Sequence, residues 1–154
     1  MNQNKIDMKA KIIIVMLALI LFATQGSSQK TKMTNYRQSD IKGMWLASFV
    51  YDEHAKDWVS ISASEIGCFA FSDVKNNGKP IAIMNNGNGV VRFSYVLTNN
   101  TIHMYDIENH SLELITIKMV SMSRGINFVG VMQTYNGTHK AKVKFLYLGD
   151  GSDD

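Results

Sequence analysis

One of the four histidines in this chain lies in a segment whose composition could support proton transfer. His54 is surrounded by Asp52, Glu53 and Asp57, and an imidazole beside carboxylates can act as a general base. A solvated charged turn explains the same composition, because surface loops collect such residues. The chain has no G-x-S-x-G, no paired-carboxylate motif and no phosphate-binding glycine loop. We therefore predict a turn at this segment, no catalytic residue and no enzyme activity.

Soft metal ligands are the second group that could do chemistry. One histidine and four methionines are candidate ligands for copper: His103, Met104, Met119, Met122 and Met132. However, no histidine stands at a metal-ligand spacing from another or from Cys68, and methionine is a usual core filler. The C-terminal segment 149–154 resembles half a calcium loop but lacks the closing glutamate. We predict no metal site and no cofactor, and an acidic tail over 150–154.

The N-terminus has the pattern of an export signal. Lys5, Lys9 and Lys11 precede an apolar run of 12 residues, 12–23, and small and polar residues follow it. A helix needs ~20 apolar residues to cross the hydrocarbon core of a membrane, which disfavours the alternative of a retained anchor. We therefore predict a signal peptide over 1–26 and an exported protein, either periplasmic or secreted, with no stable membrane span after cleavage.

The charge and the cysteine content limit what the exported part can bind and how it is stabilised. The net charge of the whole chain is +3, but without residues 1–26 it falls to +1, from 13 basic and 12 acidic residues. So small a charge gives little attraction for nucleic acid, which we exclude as a partner. Cys68 is the only cysteine and lies in an apolar stretch, so we predict a buried, inert thiol and no disulfide.

A polar leader over 27–39 precedes a succession of short extended segments separated by asparagine and glycine. The predicted strands are 43–51, 58–63, 66–71, 80–84, 90–97, 101–107, 112–121, 126–133 and 140–148. Turn signals recur every ~8–12 residues, which is typical of a barrel or a sandwich. We predict an all-β domain over 40–149, an antiparallel up-and-down barrel of about eight strands, with a β-sandwich as the alternative.

Two strands are informative about which residues face inward. The last strand alternates lysines, at 140, 142 and 144, with apolar residues, as expected of a sheet with one wet face. The segment 112–122 changes phase, which predicts either a bulge near Leu114 and Ile115 or a strand that begins there. In the first strand, alternation places Trp45, Phe49 and Tyr51 on one face.

The first strand also carries the resemblance of this chain to a known family. Gly43-Met44-Trp45, at the head of an antiparallel meander, resembles the G-x-W signature of lipocalins, and it looks closest to the divergent lipocalin-like domains exported by Bacteroidetes-type bacteria. The resemblance implies that Trp45 packs across the closed end of the barrel above a tight turn at Gly43. Lipocalins often place an arginine of the last strand against this tryptophan, whereas the last strand here has lysines only.

The barrel interior is the candidate ligand site, because an eight-stranded barrel either is filled by side chains or holds one small ligand. The aromatic residues expected to point inward are Trp45, Phe49, Tyr51, Phe93, Tyr95, Phe145 and Tyr147. We expect an exported non-catalytic protein that holds a small apolar or amphipathic ligand there. The alternative is a filled barrel that presents loops such as 52–57 or 85–89 to a protein partner.

Overall fold

The computed structural model describes residues 35–62 and 66–151, so the predicted signal peptide lies outside the described residues. This part of the chain contains one short helix and nine strands: α1 Gln38–Ile41, β1 Gly43–Asp52, β2 Asp57–Ser60, β3 Cys68–Asn76, β4 Lys79–Asn85, β5 Val90–Thr98, β6 Thr101–Asp106, β7 Glu113–Ser123, β8 Asn127–Thr134 and β9 Lys140–Gly149. Among these residues there is no helix with the length and apolar character that crossing a membrane requires.

The strands form one antiparallel sheet that closes on itself. Its order is β2-β1-β3-β4-β5-β6-β7-β8-β9, and β9 pairs back onto β1. Eight strands therefore make a closed barrel, and β2 is an additional strand beside the second half of β1. The predicted all-β barrel is confirmed, whereas the alternative of a β-sandwich is wrong because the hydrogen-bonded ring is continuous.

Asparagine and glycine build the tight turns that the sequence indicated. Asn77 and Gly78 both have positive φ and join β3 to β4 in two residues. Asn99 and Asn100 do the same between β5 and β6, where asparagine tolerates the left-handed conformation. Because the β3–β4 turn is so short, β3 runs on to Asn76, five residues beyond its predicted end.

One end of the barrel is closed by α1 and the start of β1. The indole Nε1 of Trp45 donates a hydrogen bond to the carbonyl oxygen of Ile41 at 2.7 Å, and both residues are fully buried. The rings of Phe128 and Tyr147 lie 4.9 Å from the Trp45 ring, one on β8 and the other on β9. Gly43 has φ +109°, and a Cβ there would lie 2.7 Å from a β9 carbonyl, so glycine lets the chain turn under Trp45.

Candidate functional site

The predicted ligand site, the barrel interior, is crossed by a continuous chain of aromatic rings. Successive ring centroids are 4.4 to 6.3 Å apart, in the order Tyr147, Trp45, Phe128, Phe145, Phe69, Phe71, Tyr95. All of these side chains except that of Tyr147 have 0–2% of their surface accessible. A side chain without accessible surface touches no water-sized space, either outside the barrel or within it. Around these rings the interior is therefore filled by side chains.

Four of the predicted site residues belong to this packed core. Trp45, Phe93, Tyr95 and Phe145 are at most 2% exposed. The hydroxyl of Tyr95 donates to the backbone oxygen of Ser72 at 3.1 Å, so it already has a partner. Burial, together with the charge of a nearby aspartate, raises the pKa of Tyr95 to about 12. These four residues stabilise the core, and none of them presents a free polar group to a ligand.

Tyr147, a fifth predicted site residue, lies at the closed end of the barrel. Its ring is partly buried against Trp45, and its hydroxyl donates to the carboxylate of Asp150. That hydrogen bond, assisted by burial and by the negative charge, raises the pKa of Tyr147. The first residue of the predicted acidic tail is therefore fastened to the barrel.

The remaining two predicted site residues, Phe49 and Tyr51, do not point inward, and this prediction is wrong. In the ladder between β1 and β9, Ala47 lies opposite Phe145, but Phe49 lies opposite Lys144. Ser48 is thus an extra residue, a β-bulge that reverses the inward and outward positions. Beyond it Val50 packs against the core, while Phe49 and Tyr51 turn to the outside of the barrel.

The outward aromatic residues form a cluster with lysines of the last strand, and we call it the lysine–aromatic face: Phe49, Tyr51, Trp58, Lys142 and Lys144. The Lys144 Nζ lies 4.8 Å from the centroid of the Trp58 ring and 5.5 Å from that of Phe49. The Lys142 Nζ lies 5.6 Å from the Trp58 ring and 4.7 Å from the Tyr51 ring. Trp58, on β2, therefore has two ammonium groups near its ring.

The surface around this face is basic and apolar. Cross-strand pairs extend it from Lys142 and Lys144 to Val131 and Val129 on β8, and from Val131 to Lys118 on β7. No aspartate or glutamate occurs in these pairs. Within the described ranges, no carboxylate lies within 4.0 Å of the ammonium group of Lys118, Lys142 or Lys144. These positive charges are therefore available to an external anion.

The lysine–aromatic face ends at an open sheet edge. β2 pairs with β1 from Asp57 to Ser60, and among the strands of the described residues β1 is its only neighbour. Trp58 is half-buried against β1, whereas Val59, on the opposite side of the strand, is 47% exposed. An edge of this kind offers unpaired backbone groups to another strand.

A second polar cluster, which the sequence did not indicate, joins a serine, a histidine and an asparagine. The Nδ1 of His110 lies 3.0 Å from the Oγ of Ser94, and its Nε2 lies 3.0 Å from the Nδ2 of Asn77. Ser94 has no accessible surface, so its hydroxyl cannot reach a substrate. The backbone oxygen of His110 also accepts a hydrogen bond from Lys79, which fastens the β6–β7 loop to the barrel wall. The cluster therefore has a structural role, which is to hold the β6–β7 loop against the barrel.

The other residues considered for chemistry remain separate from one another. His54 lies in the β1–β2 turn, where its backbone N–H donates to the Asp52 carboxylate. His103 pairs with Glu113, with 2.5 Å between Nδ1 and Oε1, across β6 and β7. Cys68 is half-buried, and burial raises the pKa of its thiol. In the described part of the chain no group of three or more histidine, cysteine, aspartate or glutamate side chains could hold a metal ion.

A cleft at the open end of the barrel is large enough for a small molecule. It has a volume of about 410 Å³ and lies between the start of β7 and the end of β8, where Leu112, Leu114 and Tyr135 line it. The predicted bulge near Leu114 is present here, because Met104 pairs with Ile115 and the next residue pairs with Glu113.

Comparison with known proteins identifies no relative. No family profile matches the chain, and neither the curated proteins nor the solved structures contain a significant match. The similarity of Gly43-Met44-Trp45 to the lipocalin signature therefore stays a prediction.

Proposed function

We propose that this chain is an exported, non-catalytic binding protein that recognises a protein partner through the outer surface of a filled barrel. The observation that carries the proposal is the reversal at Ser48. It leaves the interior to closely packed rings and moves Phe49 and Tyr51 outside, beside Lys142 and Lys144. The proposed binding surface is the outer wall of the barrel, whereas the sequence alone favours loops such as 52–57 or 85–89 for a protein partner.

The composition of the lysine–aromatic face supports recognition of a partner. Tryptophan and tyrosine are enriched among the residues that dominate binding energies at protein interfaces. Here Trp58 and Tyr51 are in edge-to-face contact at 5.4 Å, which holds both rings in a fixed orientation. A rigid aromatic pair loses little conformational freedom on binding.

Hydrogen-exchange mass spectrometry tests the proposal. The chain is purified from its own host and compared with and without an envelope extract of that host. We expect slower exchange in β1, β2 and β9 when the extract is present, and we expect Trp58→Ala to abolish the difference. Tyr95→Phe, a matched change in the interior, should leave it intact. Protection that survives Trp58→Ala, or that Tyr95→Phe removes, would overturn the proposal.

A small apolar ligand at the open end of the barrel is the second candidate function. The cleft of about 410 Å³ that supports it lies within the ~300–1,000 Å³ usual for small-molecule sites. The hydroxyl of Thr134 in its wall is buried and has no hydrogen-bond partner among the described residues. A fluorescent apolar probe should bind the unmodified chain. The Leu114→Glu variant should no longer bind it. Absence of probe binding to the unmodified chain would remove this candidate.

A further inference from the structure

The open edge of β2 and the charges beside it indicate what kind of segment fits there. β2 is hydrogen-bonded to β1 through four residue pairs, from Phe49 opposite Ser60 to Asp52 opposite Asp57. No strand of the described residues lies on the other side of β2. Backbone N–H and C=O groups on such an edge bind an extended segment by continuing the ladder, so the backbone supplies affinity and alternate side chains supply specificity.

The outer side of the edge selects negative charge. A residue directly opposite another in a neighbouring strand places its Cβ ~4.5–5.5 Å away, on the same side of the sheet. A residue opposite Trp58 would therefore lie on the same side of the sheet as Lys144 and Lys142, whose ammonium groups are 4.8 and 5.6 Å from the Trp58 ring. Because neither lysine pairs with a carboxylate of the described residues, an incoming aspartate or glutamate would meet two free positive charges.

On the inner side of the same edge, the position opposite Val59 favours an apolar residue. Val59 points to the side opposite Trp58 and lies across from Val50, which packs against the core. With 47% of Val59 exposed, an apolar side chain of the incoming strand would cover it and extend the core at the rim. The period of a strand therefore requires alternating acidic and apolar residues.

We propose that β2 receives an extended partner segment in which acidic and apolar residues alternate, with Lys142 and Lys144 binding the carboxylates. This inference rests on the proposed function, since it names the partner of the same lysine–aromatic face. An anionic membrane or polysaccharide would satisfy the lysines, but it would supply neither backbone groups for β2 nor a side chain for Val59. The charge pattern together with the open edge therefore favours a protein strand.

Synthetic peptides test the inference on the chain purified from its host. The probe is an eight-residue peptide alternating glutamate and valine, with a glutamine–valine peptide as the uncharged control. We expect the acidic peptide to bind and to slow exchange in β2. Lys142→Gln with Lys144→Gln should weaken binding by about three- to tenfold, because exposed ion pairs contribute modestly. Lys118→Gln, on the same barrel wall but away from β2, should change it less than about twofold.

A backbone control separates strand addition from charge attraction. Methylating alternate peptide nitrogens on the edge that would face β2 should abolish binding, because those amides would no longer donate. Binding that survives this methylation, or that anionic vesicles and dextran sulfate match, would overturn strand addition. So would failure of the acidic peptide to bind. The proposed function would still stand if the host extract protected β2 and β9 and Trp58→Ala removed that protection.

Discussion

Phe49 lies directly opposite Lys144 in the ladder between β1 and β9, and the two side chains share the outer face of the barrel, 5.5 Å from ammonium nitrogen to ring centroid. Two residues earlier in β1, Ala47 lies opposite the fully buried Phe145. Ser48 is the single residue that separates these inner and outer pairs. One bulged residue thus decides which aromatic side chains stabilise the barrel and which are available to a partner.

The reversal at Ser48 predicts opposite costs for the same change at neighbouring positions. Val50→Gln should lower the free energy of unfolding by about 1–3 kcal/mol, because an amide would replace a side chain that packs against the core. Phe49→Gln should cost less than about 1 kcal/mol, because its amide stays hydrated outside. Urea unfolding of the purified chain measures both. The opposite ranking would show that β1 keeps one phase past Ala47.

The two tryptophans should differ in the same way. Trp45→Phe removes the hydrogen bond to Ile41 and leaves that carbonyl without its donor in the core, so we expect a loss of about 2–4 kcal/mol. Trp58→Phe should cost less than about 1 kcal/mol, because the ring is half-buried on the outer face. Thermal unfolding followed by circular dichroism compares the variants. Equal losses would contradict the assignment of Trp45 to the closed end.

Gly43 should tolerate no side chain. At φ +109° an added Cβ would lie 2.7 Å from the carbonyl oxygen of Gly149, so both the backbone conformation and the space are unfavourable. We expect Gly43→Ala to destabilise the chain by at least about 2 kcal/mol. Gly78→Ala is the matched control, since it has φ +79° but open space around it, and it should cost only about 1 kcal/mol. Chemical denaturation that gave both variants the same loss would show that the close approach of β1 and β9 is absent.

Stability should fall at alkaline pH because of Tyr95. Burial raises the pKa of Tyr95 from 10.0 to about 12. The neutral phenol is the form favoured in the folded chain, so its contribution is complete below pH 10 and disappears as the pH rises towards 12. The loss should be about 2–3 kcal/mol over that window, since one unit of pKa is ~1.4 kcal/mol. Unfolding free energies of Tyr95→Phe should fall less between pH 10 and 12, and parallel curves would contradict this role.

The two bulges show what could and could not be predicted from the sequence. At Leu114 the bulge was predictable, because charged and polar residues mark which positions face water, and their phase changes there. Around Ser48 the residues on both faces of β1 are apolar or aromatic, since the outer face is apolar too. The pattern therefore contains no mark of the reversal, and alternation alone predicts that Phe49 and Tyr51 point inward.

The lysine–aromatic face is not predictable from the sequence for a related reason. Lysines at alternate positions of β9 correctly predicted an outer face, but alternation alone describes any solvated strand. Their contacts with Trp58 depend on β2, whose position beside β1 follows from the closure of the barrel rather than from local sequence. The hydrogen bond between Ser94 and His110 likewise joins residues of separate elements, β5 and the β6–β7 loop.

Native mass spectrometry of the chain recovered from its own host distinguishes a filled barrel that binds a partner outside from a barrel that holds a ligand. We expect the mass of residues 27–154, with the predicted signal peptide removed and no small molecule attached. Any partner that remains should be a protein, and Trp58→Ala should release it. A stoichiometric small molecule that is lost only on denaturation, and that persists in Leu114→Glu, would show that the interior holds a ligand and is not filled by side chains.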